Sequence, residues 1–425
     1  MNCNNTSSNS NTNIGSRLLL LIAFSLNAET ALPIGKKLFG GTELVARSKA
    51  LQETKAMKRI GYIKEKIVAE SNCIKAILNA SQGKRDREDV KEVLSHIEVY
   101  AKDLSQRLIL HEFTSPYKIR KITDGLSGKE RELQIPAFYP DQCAHHAIVQ
   151  ILRPIVEKSS YYWSCANIPK RGIDRACRGV ERATVRDLKH AKYCVKLDIK
   201  KFYPSIPHDK LKERLREVIK DREALEIIDV VIDSYPQDVP ENAKDVRGIP
   251  IGNFPSPWFA ELFLQPLDMY IKQELHVRHY IRYADDMVLI DSNKRKLRKA
   301  MYAIIEYAKG MGLTIKENYQ LFRIQENGKG RKIDFVGRCF GRGFTTIRKR
   351  RALALMRQSR RIQKLQKAKK PVSFHMAAGF LSRASCFRHT DSYAMRLKYY
   401  DTVNIKKLKE VIRRESKRKQ LARCC

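Results

Sequence analysis

The stretch HYIRYADDMVLID, from His279 to Asp291, carries two adjacent carboxylates, Asp285 and Asp286, between two runs rich in aromatic and β-branched residues. Such runs favour β-strands. Neighbouring side chains of a strand point to opposite faces of the sheet, so the two carboxylates converge only at a tight turn between two strands. Two like charges there are unfavourable unless a cation lies beside them. The alternative is that the Asp-Asp pair is a polar hairpin turn.

A third carboxylate favours a bound cation over a simple polar turn. Asp198 ends the apolar, alternating stretch YCVKLDI (193–199), which predicts another strand, and KKFYPSI follows it. If the two strand elements pair, three carboxylates meet at one point. Mg²⁺ prefers oxygen ligands and is usually held by a few carboxylates together with substrate phosphates. Two such ions, about 3.5–4 Å apart, clamp the attacking and leaving oxygens of an in-line phosphoryl displacement.

The composition is strongly basic. The chain has 425 residues, enough for two or three domains, with 83 Lys and Arg against 46 Asp and Glu and a formal net charge of +37. A solubilising surface usually mixes signs and keeps the net charge of a small domain at about 2–8. A polyanion partner is therefore favoured, because each neutralised phosphate releases counterions and strengthens binding. Together with the carboxylates, the charge narrows the reaction class to nucleotidyl transfer on nucleic acid.

The cysteines and the apolar runs indicate the cellular compartment of the protein. None of the ten cysteines forms a C-x-x-C pair, which argues against a structural zinc site and against a secreted disulfide framework. The longest apolar run, Leu18 to Leu26, is far shorter than the ~20 residues of a spanning helix. We therefore expect reduced thiols, a cytoplasmic location and no membrane partner. An upstream start codon within the reading frame explains this run as well as a signal peptide does.

Three motifs, in their order along the chain, resemble those of a known family. LDIKKFYPSI, GIPIGN followed by SP, and YADD with apolar flanks resemble the motifs of reverse transcriptases in order and spacing. The resemblance runs from about Tyr117 to the C-terminus. It looks like the bacterial branch that includes group II intron proteins, retrons and diversity-generating retroelements. It implies an α+β, right-hand polymerase fold with fingers, palm and thumb, an antiparallel palm sheet and a helical N-terminal extension.

The resemblance also implies a division of the chain. The N-terminal apolar positions recur at helical spacing, and the two densest cation runs lie near the C-terminus. The predicted parts are a disordered segment 1–42, a basic helical region 43–112, fingers 113–195, a palm 196–345 (with 211–250 partly associated with the fingers) and a basic helical thumb 346–425.

The roles of the family's catalytic residues transfer to matching positions. The resemblance implies that Asp198, Asp285 and Asp286, with the backbone carbonyl of Ile199, bind two Mg²⁺ ions, with Mn²⁺ as an alternative. Tyr203 matches the aromatic gate that excludes a ribose 2′-hydroxyl, and its alternative is a buried core tyrosine.

Further positions match the family's substrate contacts. Arg131 matches a cation that contacts the incoming triphosphate, and Lys121 is a second candidate; for either, the alternative is a solvated surface charge. Arginine suits the task because its fork donates two parallel hydrogen bonds to phosphate. The positions that match template and primer contacts are Arg171, Gly172, Phe335 and Gly337.

The chain departs from the family pattern at two places. It has Ile251 before Gly252, where the family commonly has a Gln that helps position the nucleotide and the template. A residue other than Gln resembles the error-prone diversity-generating branch, whereas Ser256-Pro257 is closer to the intron and retron pattern. The lysine often proposed as proton donor to pyrophosphate aligns with Tyr319, which leaves Lys316 as a substitute.

The function implied is RNA-directed DNA synthesis by two-metal nucleotidyl transfer. Its partners would be an RNA template, a DNA or RNA primer and dNTPs, and within the favoured diversity-generating branch an accessory basic protein. One alternative is a group II intron-type maturase, an RNA chaperone, and another is a retron or defence-type enzyme. An RNA-templated RNA polymerase is disfavoured by Tyr203.

Overall fold

The structure, a computed structural model, describes residues 59–123, 130–235 and 246–421. The segment 1–42 that the sequence predicts to be disordered, and residues 43–58 of the predicted helical region, lie outside the described residues. The expected mixture of helices with antiparallel sheets is confirmed.

From residue 59 onward, four helices precede the first strand. They are α1 (Lys64–Val68), α2 (Glu70–Ala80), α3 (Glu88–Ser95) and α4 (Ile97–Leu110). Their apolar positions recur at helical spacing, so each helix buries one stripe, and Ile67, Ile77 and Leu104 are fully buried. The last helix ends at His111, which adopts the left-handed conformation common at helix C-termini.

A hairpin and two helices follow. Strands β1 (Lys118–Thr123) and β2 (Glu130–Ile135) pair antiparallel, with Lys118 opposite Ile135. Helix α5 (Cys143–Ser159) comes next, and α6 (Gly172–Glu181) continues into one π-helical turn, Arg182–Arg186.

The central sheet has four antiparallel strands. They are β3 (Tyr193–Asp198), β4 (His279–Tyr283), β5 (Asp286–Asp291) and β6 (Gln320–Arg323), in the order β4-β5-β3-β6. Tyr193–Asp198 form a single strand, so the predicted boundary between fingers and palm at 195/196 falls inside β3. Five helices flank the sheet in sequence: α7 (Phe202–Ser205), α8 (His208–Val218), α9 (Arg222–Asp233), α10 (Ser256–Met269) and α11 (Lys294–Gly310).

The two faces of the central sheet belong to different cores. Val195, Leu197 and Leu289 face one large core that also contains the buried residues of α2, α4, α5, α10 and α11. Cys194 and Val288 face the opposite way, against α6 and a second, three-stranded sheet. Alternation along each strand produces this division. The second sheet consists of β7 (Ile333–Phe335), β8 (Arg338–Gly341) and β9 (Phe344–Ile347).

The C-terminal helices have a core of their own. They are α12 (Lys349–Lys367), α13 (Phe374–Ala384), α14 (Tyr393–Tyr399) and α15 (Ile405–Leu421), and they pack around Leu355, Phe380 and Leu408. Within residues 59–123, 130–235 and 246–421, no helix has the length and apolar character that a bilayer span requires.

The cysteines of the described residues are unpaired. All except the half-buried Cys339 are buried, namely Cys73, Cys143, Cys165, Cys177, Cys194 and Cys386.

The shared core predicts that the N-terminal helices do not fold apart from the central sheet. Leu104 in α4 is fully buried, so Leu104→Ala should lower the free energy of unfolding by about 2–5 kcal/mol in one cooperative urea transition. Val99 on the same helix is 68% exposed, and Val99→Ala should change it by less than about 0.5 kcal/mol. A separate early transition for Leu104→Ala, with the main one unchanged, would show that the helices are an independent unit.

Candidate active site

The two adjacent aspartates lie where β4 turns into β5. Ala284 and Asp285 form the turn, with Ala284 at a φ of +54°, and Asp286 is the first residue of β5. Asp198, the last residue of β3, lies directly opposite Asp286 in the antiparallel register. The strand pairing that the sequence suggested is therefore present, and it assembles the three carboxylates at one end of the sheet.

Burial and mutual repulsion perturb this acidic group. Burial, and then the charge of Asp198, raise the pKa of Asp285 to about 7. Burial raises the pKa of Asp286 to about 6, with the Lys196 ammonium opposing the rise and Asp198 adding to it. The buried Oδ1 of Asp286 has no hydrogen-bond partner, and the nearest cation, Nζ of Lys196, is 3.6 Å away. The site is therefore short of positive charge.

Lys316 supplies a positive charge beside Asp198. Its Nζ donates to both carboxylate oxygens of Asp198 at 2.7 Å, and its backbone N–H donates to the carbonyl of Asp198 at 2.8 Å. Ile199, the proposed carbonyl ligand, bridges to Ile315 and has a fully buried side chain. The lysine is thus at the site, whereas Tyr319 is an exposed residue of the following segment.

The donor set fits a hard divalent cation that also binds substrate. Among the described residues, no three Asp, Glu, His or Cys side chains are gathered closely enough to enclose a metal ion by themselves. Mg²⁺ does not require such a cage, because it usually keeps waters and shares coordination with substrate phosphates. Three carboxylates, one with an oxygen that lacks a partner, suit such an open site.

A buried arginine holds the turn from behind. Arg282 is 1% exposed, and its Nε and Nη2 donate to the two oxygens of Asp268 at 2.8 and 2.6 Å. Its Nη2 also donates to Glu261 at 3.1 Å, and its Nη1 donates to the carbonyl of Ala284 at 3.1 Å. Helix α10 is thereby connected to the backbone beside Asp285.

This ion cluster was not found in the sequence. A signal existed, because Glu261 and Asp268 are two carboxylates in the apolar helix SPWFAELFLQPLDM, seven residues apart and so on one face. Arg282 likewise interrupts an apolar strand. Such charges are rarely buried without partners.

Tyr203 and the loop of Ile251 lie beside the carboxylates. The Tyr203 side chain is half-buried, its hydroxyl bonds to Asn167, and burial followed by the nearby charge of Asp285 raises its pKa. The N–H of Ile249 donates to the carbonyl of Tyr203 at 3.0 Å, which places the following loop next to it. Gly252 has a φ of +103°, and a Cβ there would lie 3.6 Å from Leu133 of β2.

The structure does not link the two candidate triphosphate contacts to the carboxylates. Lys121 in β1 is exposed, and its Nζ lies 3.4 Å from Glu132 across the hairpin. Arg131 lies in β2, where its backbone is opposite Ile122 of β1, and its side chain lies outside the described residues.

The other template and primer positions have mixed surroundings. Nη1 of Arg171 donates to the carbonyls of Tyr161 and Ser164 at 2.5 and 2.9 Å, and Gly172 begins α6. Phe335 is fully buried, so its ring packs in the core beneath β7 and β8. The turn of this hairpin consists of the buried Val336 and the half-buried Gly337, which has a φ of +87°.

Comparison with known proteins finds a family model that matches part of the chain. Residues 127–337 match the family model described as reverse transcriptase (RNA-dependent DNA polymerase), which confirms the resemblance seen in the motifs. Two curated relatives match shorter segments. An uncharacterized 91 kDa protein in a cob intron of Schizosaccharomyces pombe is 28% identical over 169 residues, 39% of this chain and 20% of that protein. Protein YkfC of Escherichia coli is 24% identical over 148 residues, 35% of this chain and 39% of that protein.

The chain thus spans well under half the length of these two relatives. Among solved structures, apo telomerase from Candida tropicalis, truncated from its C-terminal domain, matches with a TM-score of 0.42 at 17% identity, over 59% of this chain and 60% of that one. Telomerase from Candida albicans, in complex with a telomeric RNA fragment, matches with a TM-score of 0.43 at 13% identity, over 74% and 64%.

The raised pKa of Asp285 predicts a pH-dependent stability. The folded chain holds this proton up to about pH 7, whereas the unfolded chain releases it near pH 4. Because the unfolded chain binds fewer protons between these values, stability falls as the pH rises through this window. A difference of about three pKa units at ~1.4 kcal/mol each sets an upper limit, so in metal-free urea unfolding Asp285→Asn should raise the free energy of unfolding by up to about 4 kcal/mol at about pH 8 and by little at about pH 4. Asp209→Asn, at an exposed site, should leave the free energy of unfolding unchanged at both pH values. An equal increase in Asp209→Asn would refute the idea that burial of Asp285 causes the effect.

Replacement of the buried Arg282 should strongly destabilise the fold. Arg282→Met leaves the carboxylates of Asp268 and Glu261 buried without their cation, which should cost about 3–5 kcal/mol in urea unfolding. Adding Asp268→Asn should recover part of this loss, because one uncompensated charge is removed. Arg278→Met, at a side chain 53% exposed, should cost less than about 1 kcal/mol. Equal costs for the two single arginine variants would exclude the clamp.

Proposed function

We propose, from the premise that residues 127–337 are a reverse transcriptase domain, that this chain synthesises DNA on an RNA template by two-metal-ion nucleotidyl transfer. The substrates are a template–primer duplex and dNTPs. The observation that carries the proposal is the pairing of Asp198 with Asp286, beside the turn of Asp285.

The carboxylates of Asp198, Asp285 and Asp286, with the carbonyl of Ile199, would hold two Mg²⁺ ions, and Mn²⁺ would serve as well. When bound, the ions supply positive charge to the attacking and leaving oxygens. The protein's own contribution is to keep the carboxylates in place: the strand register positions Asp198 opposite Asp286, and Arg282 holds the carbonyl before Asp285. Lys316, which is hydrogen-bonded to Asp198, would be the residue that gives a proton to departing pyrophosphate.

Tyr203 and the loop that follows it would form the nucleotide pocket. The half-buried ring of Tyr203, near Asp285, would exclude the ribose 2′-hydroxyl. Ile251 offers an apolar side chain where a glutamine amide would hold the base pair by hydrogen bonds, which favours lower fidelity and the diversity-generating branch. Arg131 and Lys121 of the β1–β2 hairpin would contact the triphosphate, and Arg171, Gly172, Phe335 and Gly337 would position template and primer.

The proposed setting is a cytoplasmic one. The unpaired, mostly buried thiols of the described residues suit a reducing compartment. An accessory basic protein would assist the enzyme if it belongs to the diversity-generating branch.

Primer extension on a generic RNA template, with Mg²⁺ and all four dNTPs, tests the polymerase. Asp285→Asn/Asp286→Asn should reduce the rate by roughly 10³-fold, because metal binding contributes several kcal/mol to the transition state. The double variant Glu98→Gln/Glu112→Gln removes two exposed carboxylates from outside the site and should extend normally.

Two outcomes would contradict the proposal. Equal extension by the aspartate variant would show that the carboxylates of Asp285 and Asp286 take no part in the chemistry. No extension by any variant, with tight RNA binding kept by all, would favour the RNA-chaperone alternative. Sequencing of the products tests Ile251, since Ile251→Gln should lower the substitution frequency if the apolar side chain loosens base selection.

A further inference from the structure

A cleft of about 600 Å³, whose lining does not include the three carboxylates, lies between helix α6 with its π-helical turn and a wall formed by β9 and the segment that joins α13 to α14. One wall carries Tyr162, Trp163 and four arginines. The opposite wall includes Thr345 of β9 and Asp391. The backbone N–H of Thr345 donates to the Asp391 carboxylate at 2.7 Å, so this second wall is firmly connected.

The four arginines form one stripe. Arg175, Arg178, Arg182 and Arg186 are spaced three, four and four residues apart, which places them on one face of the helix and its continuation. The opposite face, with Cys177 and other small apolar residues, is buried against the central sheet. Nothing on the buried face therefore competes for these charges.

The cations of the stripe are not neutralised within the described part of the chain. None of the four arginines makes a salt bridge to a described carboxylate. The cleft contains two acids, and both are engaged elsewhere: Glu181 lies 3.8 Å from Arg338, and Asp391 accepts the bond from Thr345. A fold that leaves four arginines along one groove favours an anionic occupant.

An aromatic platform stands at one end of the stripe. The Arg175 guanidinium lies 3.9 Å from the ring centroid of Tyr162, and its buried Nε has no acceptor. Tyr162 is nevertheless 59% exposed, so part of its ring is open to the cleft. The ring of Trp163 packs edge-on against Tyr162, with the centroids 4.8 Å apart, and holds it in place. An exposed ring beside cations is the surface on which an unpaired base stacks.

The cleft borders the catalytic strand without containing the carboxylates. The carbonyl of Trp163 accepts the backbone N–H of Arg282 at 3.0 Å, and the N–H of Cys165 donates to the carbonyl of Arg282 at 2.9 Å. The loop that carries Tyr162 is thus hydrogen-bonded along the outer edge of β4. A strand in the cleft would therefore lie beside β4, the strand that leads into the turn of Asp285.

We propose that this cleft binds an unpaired polynucleotide strand, with phosphates on the arginine stripe and one base on the open part of Tyr162. From Arg175 to Arg186 the helix axis covers roughly 16 Å, which corresponds to about four or five nucleotides at ~3.4 Å each. A duplex keeps its base faces stacked internally and cannot use the ring. The inference rests on the cleft and does not require polymerase activity.

The test is equilibrium binding of labelled strands of about 12 nucleotides, measured by anisotropy without dNTPs or divalent metal. The probes are single-stranded RNA, single-stranded DNA of the same sequence, and the corresponding RNA duplex. Arg178→Gln/Arg182→Gln/Arg186→Gln removes three charges from the cleft. Arg295→Gln/Arg298→Gln/Lys299→Gln removes three exposed charges from α11, which packs on the opposite face of the sheet, and is the matched control.

The cleft variant should bind the single strands about 10- to 100-fold more weakly at ~0.1 M salt. Its plot of log affinity against log salt should be less steep by about 2, because each single-strand phosphate contact contributes about 0.7. The control variant should keep the parental slope. Tyr162→Ala should weaken single-strand binding about tenfold, whereas Tyr162→Phe should retain it. The RNA and DNA arms show which strand the cleft prefers.

Two results would overturn the inference. Equal losses for the cleft and α11 variants would mean that only net charge matters. An equal loss on the duplex would mean that no unpaired strand is selected. Because these probes are bound without dNTPs or divalent metal, a failed primer extension leaves this test intact.

Discussion

The pairing of β3 with β5 is the constraint on which the rest of the structure depends. Only this register sets Asp198 opposite Asp286, and a slip by one residue would turn the side chains to the other face of the sheet. Like charges directly opposite each other destabilise an antiparallel pair. The surrounding fold offsets that repulsion with Lys316 on Asp198 and Lys196 near Asp286. The apolar alternation on both faces of the strands then fixes the register that the charges oppose.

Charge compensation extends into the helix behind the sheet. Arg282, Asp268 and Glu261 form a buried group that connects α10 to the turn of Asp285. The loop around Ile249 and Gly252 precedes α10, so the proposed nucleotide pocket and the acidic turn share one rigid support. A polar network of this kind fixes one arrangement where an apolar contact would tolerate several. The site thus gains definition at some expense of stability.

Much of the scaffold could be predicted from local pattern, and much of the site could not. The strands around Asp285 and before Asp198, and the helical periods at both ends of the chain, follow from burial on one face. The partners of Arg282 could not be foreseen, because α10 and β4 meet only in the folded chain. Arg171 binds backbone carbonyls and Phe335 lies in the core. Neither arrangement could be foreseen, because matching a motif locates a residue without giving the direction of its side chain. The cleft beside α6 joins segments far apart in sequence, so composition alone gave its charge without its shape.

The buried cysteines have a consequence for the lifetime of the protein. Burial raises the pKa of Cys73, Cys143, Cys165 and Cys177 to about 12. At neutral pH only about one sulfur in 10⁵ is then a thiolate, the form that peroxide and alkylating reagents attack. Oxidation of these four thiols would have to wait for the surrounding core to open. The rate at which they react would therefore report how often that core is exposed.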